Sequence, residues 1–198
     1  MDVSDSSSPG PAAAERKLVA VLVCEVDAPT ASGLEHPLEQ DHPVAGHLGR
    51  VAAEVARHDG MVVETVGDML VAVFGVPRTH EDDPERAVRT ALAVRAALAG
   101  PGPGDAGQLR AGIAVGEALV RLREPATGLP PEVAGEVVAA ALAVMSAAPP
   151  GVVLVTAATL RATERAISYG PARLLPLAGA REPVAVWEAL GPRPQSGR

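Results

Sequence analysis

The sequence has few aromatic residues, one cysteine and one lysine. Aromatics make up 2% of its 198 residues, and Phe74, Tyr169 and Trp187 are the only ones. A single cysteine, Cys24, excludes a disulfide scaffold and a cysteine-rich zinc site. Because large rings are so scarce, the core has to be built from Ala, Val and Leu, and Cys24 is expected to be a small buried residue within it.

Charge and hydropathy exclude two further classes of protein. The chain carries 17 Lys+Arg against 24 Asp+Glu, a net charge of -7, and such a chain without base-stacking rings does not suit nucleic-acid binding. Its apolar runs, including residues 18–24, are all far shorter than the roughly 20 residues that span a bilayer. The start of the chain lacks the basic segment of a secretory signal. We therefore expect a cytoplasmic protein with no membrane partner and, from its richness in Ala, Gly, Pro and Arg, a bacterial source.

Composition divides the chain into three parts. Residues 1–15 and 191–198 are small, polar and punctuated by Pro and Gly, which predicts a disordered leader and a disordered tail around one domain at 16–190. Within that domain the apolar run at 18–24 predicts a buried strand, followed by a helix that ends at Gly60. Two short apolar runs, 61–66 and 69–74, flank Gly67-Asp68 and predict a β-hairpin.

The second half of the domain repeats this alternation. Asp83-Pro84 predicts the start of a helix, and a strand is expected at 109–120. A third helix is expected from about 135 to 147, with Val138 and Leu142 among its inward residues. The order β-α-β-β-α-β predicts an α+β fold, a ferredoxin-like sheet with helices on one face and additional strands at the C-terminal end.

The hairpin and the segments after it resemble the class III adenylyl and guanylyl cyclases. Residues 63–75, VETVGDMLVAVFG, resemble the metal-site hairpin of that family, and 112–120, GIAVGEALV, are similar to its next strand. Residues 134–151 resemble its dimer-site helix and exit turn, and 181–188 its terminal strand. The resemblance extends over about 16–190, and such a domain is similar to the N-terminal cyclase modules of bacterial signalling proteins.

The resemblance implies a particular catalytic apparatus. Two carboxylates on neighbouring strands hold Mg²⁺ or Mn²⁺ ions, which activate the ribose 3′-hydroxyl and steady the departing pyrophosphate. Two side chains read the purine. An Asn and an Arg from the partner subunit's helix orient the ribose and stabilise the transition state, so the family works as a dimer.

The metal and phosphate positions are only partly retained. The resemblance places the second metal carboxylate on Asp68 and the first on Glu25, where the family has the shorter Asp. In the turn after the first strand only Thr30 is retained as a nucleotide-binding residue. Pro29 has no N–H to donate to a phosphate, and Asp27 adds negative charge where a triphosphate would lie.

The base-reading positions fall on two acids. Glu64 matches the Glu of guanylyl cyclases, and a carboxylate accepts the two adjacent N–H donors of guanine; the alternative is an exposed strand residue. Glu132 falls on the second position, where the family usually has Asp, Thr, Ser or Cys. Two carboxylates facing one base do not form a recognisable pattern.

The positions of the transition-state groups are occupied by alanine. The family's Asn falls on Ala139 and its Arg on Ala143, so no catalytic residue is expected at either position. Losing one such donor commonly costs on the order of 10²–10³ in rate. Sequence spacing gives no reason to place Arg121, Arg123 or Arg161 in the site instead.

The residues therefore predict a pseudoenzyme: a cyclase-like domain that forms a homodimer and acts as a regulatory or nucleotide-sensing module, with a nucleotide or cyclic nucleotide as ligand. Three alternatives stay open. The chain is an active guanylyl-type cyclase, or it is one half of a heterodimer that supplies Glu25 and Asp68 while a partner cyclase supplies Asn and Arg. The third alternative is an interaction module that binds no nucleotide.

Overall fold

The structure is a computed structural model that describes residues 13–27, 43–99, 107–123 and 127–194. The predicted leader and tail lie mostly outside these ranges. At their inner ends, however, Glu15 begins the first strand and Pro192 ends the last one, so regular structure extends slightly beyond 16–190. Pairing with neighbouring strands continues through these polar and Pro/Gly-rich positions, which composition alone assigns to the tails.

Nine strands and four helices alternate in the described residues. They are β1 (Glu15–Asp27), α1 (Pro43–Arg57), β2 (Met61–Val66), β3 (Met69–Phe74), α2 (Asp83–Leu98), β4 (Gln108–Arg121), β5 (Glu132–Ala134), α3 (Glu136–Ser146), β6 (Val153–Thr156), α4 (Ala157–Thr163), β7 (Ile167–Tyr169), β8 (Arg173–Leu175) and β9 (Val184–Pro192). None of these four helices has the length and apolar composition that crossing a bilayer requires.

The strands form one mixed sheet with β1 near its centre. The order is β2-β3-β1-β4-β6-β9-β7, with β5 added to β4 and β8 added to β9. β1 is antiparallel to both β3 and β4, and β6 runs parallel to β4. The first six elements give the predicted β-α-β-β-α-β order, and the later strands are the predicted C-terminal additions. The α+β class and the ferredoxin-like core are confirmed.

Both faces of the sheet are covered. Successive residues of a strand point to opposite faces, so Leu22 and Cys24 pack with α1 and α2, whereas Val21 and Val23 pack with Met145 of α3. The two helices of the ferredoxin-like core thus share one face, as predicted, and α3 covers the other. Burial raises the pKa of the Cys24 thiol to about 12, so this side chain is a packing residue with almost no thiolate at neutral pH.

Candidate metal and nucleotide site

Three carboxylates meet where the β2–β3 turn approaches the end of β1. Glu25 stands opposite Met69 of β3, and Asp68 occupies the turn itself. The backbone N–H of Val26 donates to the Asp68 carbonyl oxygen over 3.2 Å, which holds the turn against β1. Single carboxylate oxygens of Glu25, Asp27 and Asp68 lie within 4.8 Å of one another. The structure therefore brings together the two acids that the sequence predicts as metal ligands, and adds a third.

Asp27 belongs to this cluster by the geometry of its strand. From the sequence it is expected only to add negative charge near a triphosphate. Glu25 and Asp27 are two residues apart on β1, so their side chains leave the strand on the same side. That spacing is the sequence signal by which Asp27 could have been recognised as a third candidate ligand.

Arg110 of β4 is the residue at this cluster that sequence reasoning misses. Its Nη2 lies 2.8 Å from Oε2 of Glu25, and its Nε lies 3.5 Å from Oδ2 of Asp27. Arg110 reaches both acids because it stands directly opposite Glu25 in the β1–β4 ladder. Local residue spacing cannot predict which residues face each other on two strands that lie so far apart in the chain.

The donor set of the cluster suits a divalent cation. Mg²⁺ and Mn²⁺ prefer oxygen ligands, and around Mg²⁺ these lie at about 2.1 Å, so that opposite ligands are about 4 Å apart. Oxygens of Glu25, Asp27 and Asp68 that lie within 4.8 Å of one another are already near that spacing. Arg110 opposes metal binding, because its guanidinium is already in contact with a carboxylate oxygen of Glu25. The cluster fits a metal in its chemistry, and a metal would compete there with Arg110.

The two base-reading candidates line a single pocket. Glu64 of β2 and Glu132 of β5 border a cavity of about 360 Å³, whose other walls include Arg123 and Leu129. Both acids are exposed, so the pocket is open to solvent. β5 is only three residues long, too short for a periodic pattern, and was not predicted from the sequence. Its pairing with β4 nevertheless places Glu132 at the pocket.

Two arginines change the charge of this pocket. Arg121 Nη1 lies 3.2 Å from Oε2 of Glu132, and the Arg123 guanidinium pairs with the other oxygen of the same carboxylate. Arg121 stands directly opposite Glu132 in the β4–β5 ladder. Two of the arginines that spacing left unplaced thus lie beside Glu132, the predicted base-reading residue, whereas Arg161 lies on α4. The pocket holds one ion-paired acid, and Glu64 makes no ion pair within the described part of the chain.

Ala139 and Ala143 lie on the outer side of α3. Ala139 is exposed and Ala143 half-buried, while Val137 and Val144 point into the core. The predicted inward position of Leu142 is wrong, since this side chain is 41% exposed. The helix is apolar almost all round, so periodicity could not identify its buried side. The exposed side of α3 therefore presents the methyl group of Ala139 and the side chain of Leu142, with the polar Glu136 and Ser146 at the two ends of the helix. Thr30 and Pro29 lie outside the described residues.

The fold is shared with solved nucleotidyl cyclases. The guanylyl cyclase Cya2 superimposes with a TM-score of 0.78 at 22% identity, over 93% of this chain and 98% of that one. The adenylyl cyclase CyaB from P. aeruginosa gives 0.75 at 21% identity, over 93% and 99%. The chain has the class III nucleotidyl cyclase fold. The guanylate cyclase domain of RhGC from Catenaria anguillulae, solved in complex with GTP, gives 0.75 at 18% identity, over 90% and 100%.

What this chain shares with these solved structures is the nucleotidyl cyclase fold. Identities of 18–22% relate the backbones, and the coverage shows that nearly the whole of each solved domain has a counterpart here. No protein-family model and no curated protein sequence matches the chain. What the site of this cyclase-fold domain can do therefore depends on its own side chains.

Proposed function

We propose that the chain is a catalytically degenerate cyclase domain that dimerises and senses a nucleotide in signal transduction. The observation that carries the proposal is the outer side of α3, where Ala139 and Ala143 stand at the positions that the resemblance assigns to Asn and Arg. A methyl group neither donates a hydrogen bond nor carries charge, so it cannot stabilise the charge that develops in a transition state. A site without those groups still offers surfaces that bind.

The pocket between β2 and β5 supports a guanine nucleotide as the ligand. A guanine base presents adjacent N–H donors on one edge and the acceptors O6 and N7 on another. The carboxylate of Glu64 suits the donor edge, and a guanidinium such as that of Arg123 suits the acceptor edge. Ion pairing of Glu132 with Arg121 and Arg123 removes the difficulty of two free carboxylates facing one base.

Calorimetric titration of the full chain with GTP, ATP, cyclic mononucleotides and cyclic dinucleotides tests the sensing function. We expect guanine nucleotides to bind more tightly than adenine nucleotides. Glu64→Gln should weaken guanine binding about tenfold, because a hydrogen bond to a charged group contributes about 1.5–3 kcal/mol and part of that is lost with the charge. Glu85→Gln, a change at an acid of α2 that pairs with Arg89, is the matched control. Absence of binding by every nucleotide would contradict the sensing function.

The exposed side of α3 supports dimerisation with a second copy of the chain. Leu142 is 41% exposed beside two alanines, and an apolar surface of this kind is stabilised when it is covered. Leu142→Glu should weaken self-association at least about tenfold, because the new carboxylate would be buried without a partner. Sedimentation over a concentration series measures this. Leu174→Glu, at a residue of β8 that is 71% exposed, should leave association unchanged; equal effects of the two variants would contradict the proposed interface.

A heterodimeric half-site is the second candidate function, and the carboxylate cluster favours it. Glu25, Asp27 and Asp68 keep a donor set that fits Mg²⁺ or Mn²⁺, although α3 lacks the groups of the complementary half. Mixing the chain with a cyclase that retains Asn and Arg, but whose own metal acids have been substituted, tests this function. Activity that requires both chains would support the half-site, and activity in neither the mixture nor the separate chains would exclude it for that partner.

A further inference from the structure

The Arg110 side chain lies inside the carboxylate cluster rather than beside it. Its Nη2 contacts Glu25 at 2.8 Å and its Nε approaches Asp27 at 3.5 Å. The Nε atom is shielded from solvent and makes no hydrogen bond among the described residues. Only about a quarter of the Arg110 and Glu25 side chains is exposed, so the charges meet largely out of water, where their attraction is screened less.

The strand register places Arg110 directly beside Glu25. Arg110 and Glu25 are paired residues of two antiparallel strands, and the ladder continues on both sides of them through Cys24 with Ala111 and Val26 with Leu109. The negative charges of Glu25, Asp27 and Asp68 repel one another. Among the described residues, the Arg110 guanidinium is the cation that contacts two of these acids, Glu25 and Asp27. The positive charge of Arg110 neutralises part of the negative charge that would otherwise attract a metal ion to the cluster.

A divalent cation and the guanidinium need the same atoms. A metal bound at about 2.1 Å requires direct contact with carboxylate oxygens, and Oε2 of Glu25 is already in contact with Arg110. Two cations that share one carboxylate also repel each other. Metal binding therefore requires Arg110 to withdraw or the metal to bind with fewer ligands, and either reduces affinity.

We propose that Arg110 is a built-in counter-cation of Glu25, Asp27 and Asp68, which lowers the affinity of this cluster for divalent cations by competing for its oxygens. Arg110 is in this sense a positioning residue of the cluster, because it acts through the carboxylates and not on a substrate. The inference rests on the proposed metal site, but it requires neither a nucleotide nor turnover.

Binding of Mn²⁺ alone to the full chain, followed by the electron paramagnetic resonance of the free ion, tests the proposal. Arg110→Gln keeps a polar side chain, although a shorter one, and removes the charge, and it should tighten Mn²⁺ binding about tenfold or more. Arg110→Lys keeps the charge and should remain within about threefold of the wild type. Asp68→Asn in the Arg110→Gln background should remove the gain, which assigns it to this cluster.

Arg173→Gln, which removes an arginine of β8 paired with Glu188 of β9 instead, should leave Mn²⁺ binding unchanged. Arg110→Met, a neutral side chain of comparable bulk, replaces the Gln variant if that one does not fold. Unchanged or weaker Mn²⁺ binding in the neutral variants would overturn the proposal, as would the absence of Mn²⁺ binding in all of them. Because no nucleotide is present, a failure of nucleotide sensing leaves this result unaffected.

Discussion

Purified protein supplied with GTP or ATP and Mn²⁺ is expected to form no cyclic nucleotide above a protein-free blank. Ala139 and Ala143 lie on the outer side of α3 and supply no hydrogen-bond donor or charge. Removing one transition-state donor costs on the order of 10²–10³ in rate, and the absence of two leaves a deficit at least as large. Pro29, which lacks an N–H, and the competing Arg110 guanidinium act in the same direction.

Product formation measured by chromatography over hours at high protein concentration detects even slow turnover. Asp68→Asn is the matched control, because product from a contaminating cyclase is unaffected by it, whereas product made at the carboxylate cluster declines with it. Clear turnover that Asp68→Asn abolishes would contradict the pseudoenzyme proposal and favour the active guanylyl-type cyclase. A pocket lined by Glu64 and Arg123 would then be its base-reading site.

The hairpin shows how far local patterns reach in this chain. β2 and β3 occupy the residues that two apolar runs around Gly67-Asp68 predict, since turn chemistry and alternation are both local properties. β1, by contrast, extends beyond the apolar run at 18–24 to Glu15 and Asp27. Its ladder with β4 continues through polar residues, and the sequence contains no local record of that pairing.

The residues of the candidate site also differ in whether local sequence patterns can identify them. Glu25, Asp68, Glu64 and Glu132 were found by comparison of motifs, and the structure places them in two groups, one acidic cluster and one pocket. Arg110 could not be found in this way, because it reaches the cluster through cross-strand register and not through spacing. Arg121 and Arg123 reach Glu132 through a three-residue strand that has no periodic signature. Motif comparison therefore identifies the acidic residues of the site but not the arginines that pair with them.

Gly112→Ala is expected to destabilise the domain severely. A Cβ at Gly112 would lie 2.3 Å from the carbonyl oxygen of Ala141 and 2.3 Å from the backbone nitrogen of Met145. Both atoms belong to the backbone of α3 and cannot rotate away, so the helix must shift. Overpacking of this kind costs about 1–3 kcal/mol and occasionally more. For a domain of this size we expect the Tm to fall by roughly 2–12 °C.

Thermal unfolding followed by circular dichroism measures the effect, and Gly49→Ala supplies the matched control. Gly49 lies in α1, where a Cβ would meet nothing within 4 Å, and alanine in a helix is favoured over glycine by about 0.8–1 kcal/mol. The same substitution should therefore raise the Tm by a few degrees at Gly49 and lower it at Gly112. A Gly112→Ala protein that melts with the wild type would mean that α3 does not rest on β4 as described. Because α3 carries Ala139, Leu142 and Ala143, the surface proposed for dimerisation would then need a different placement.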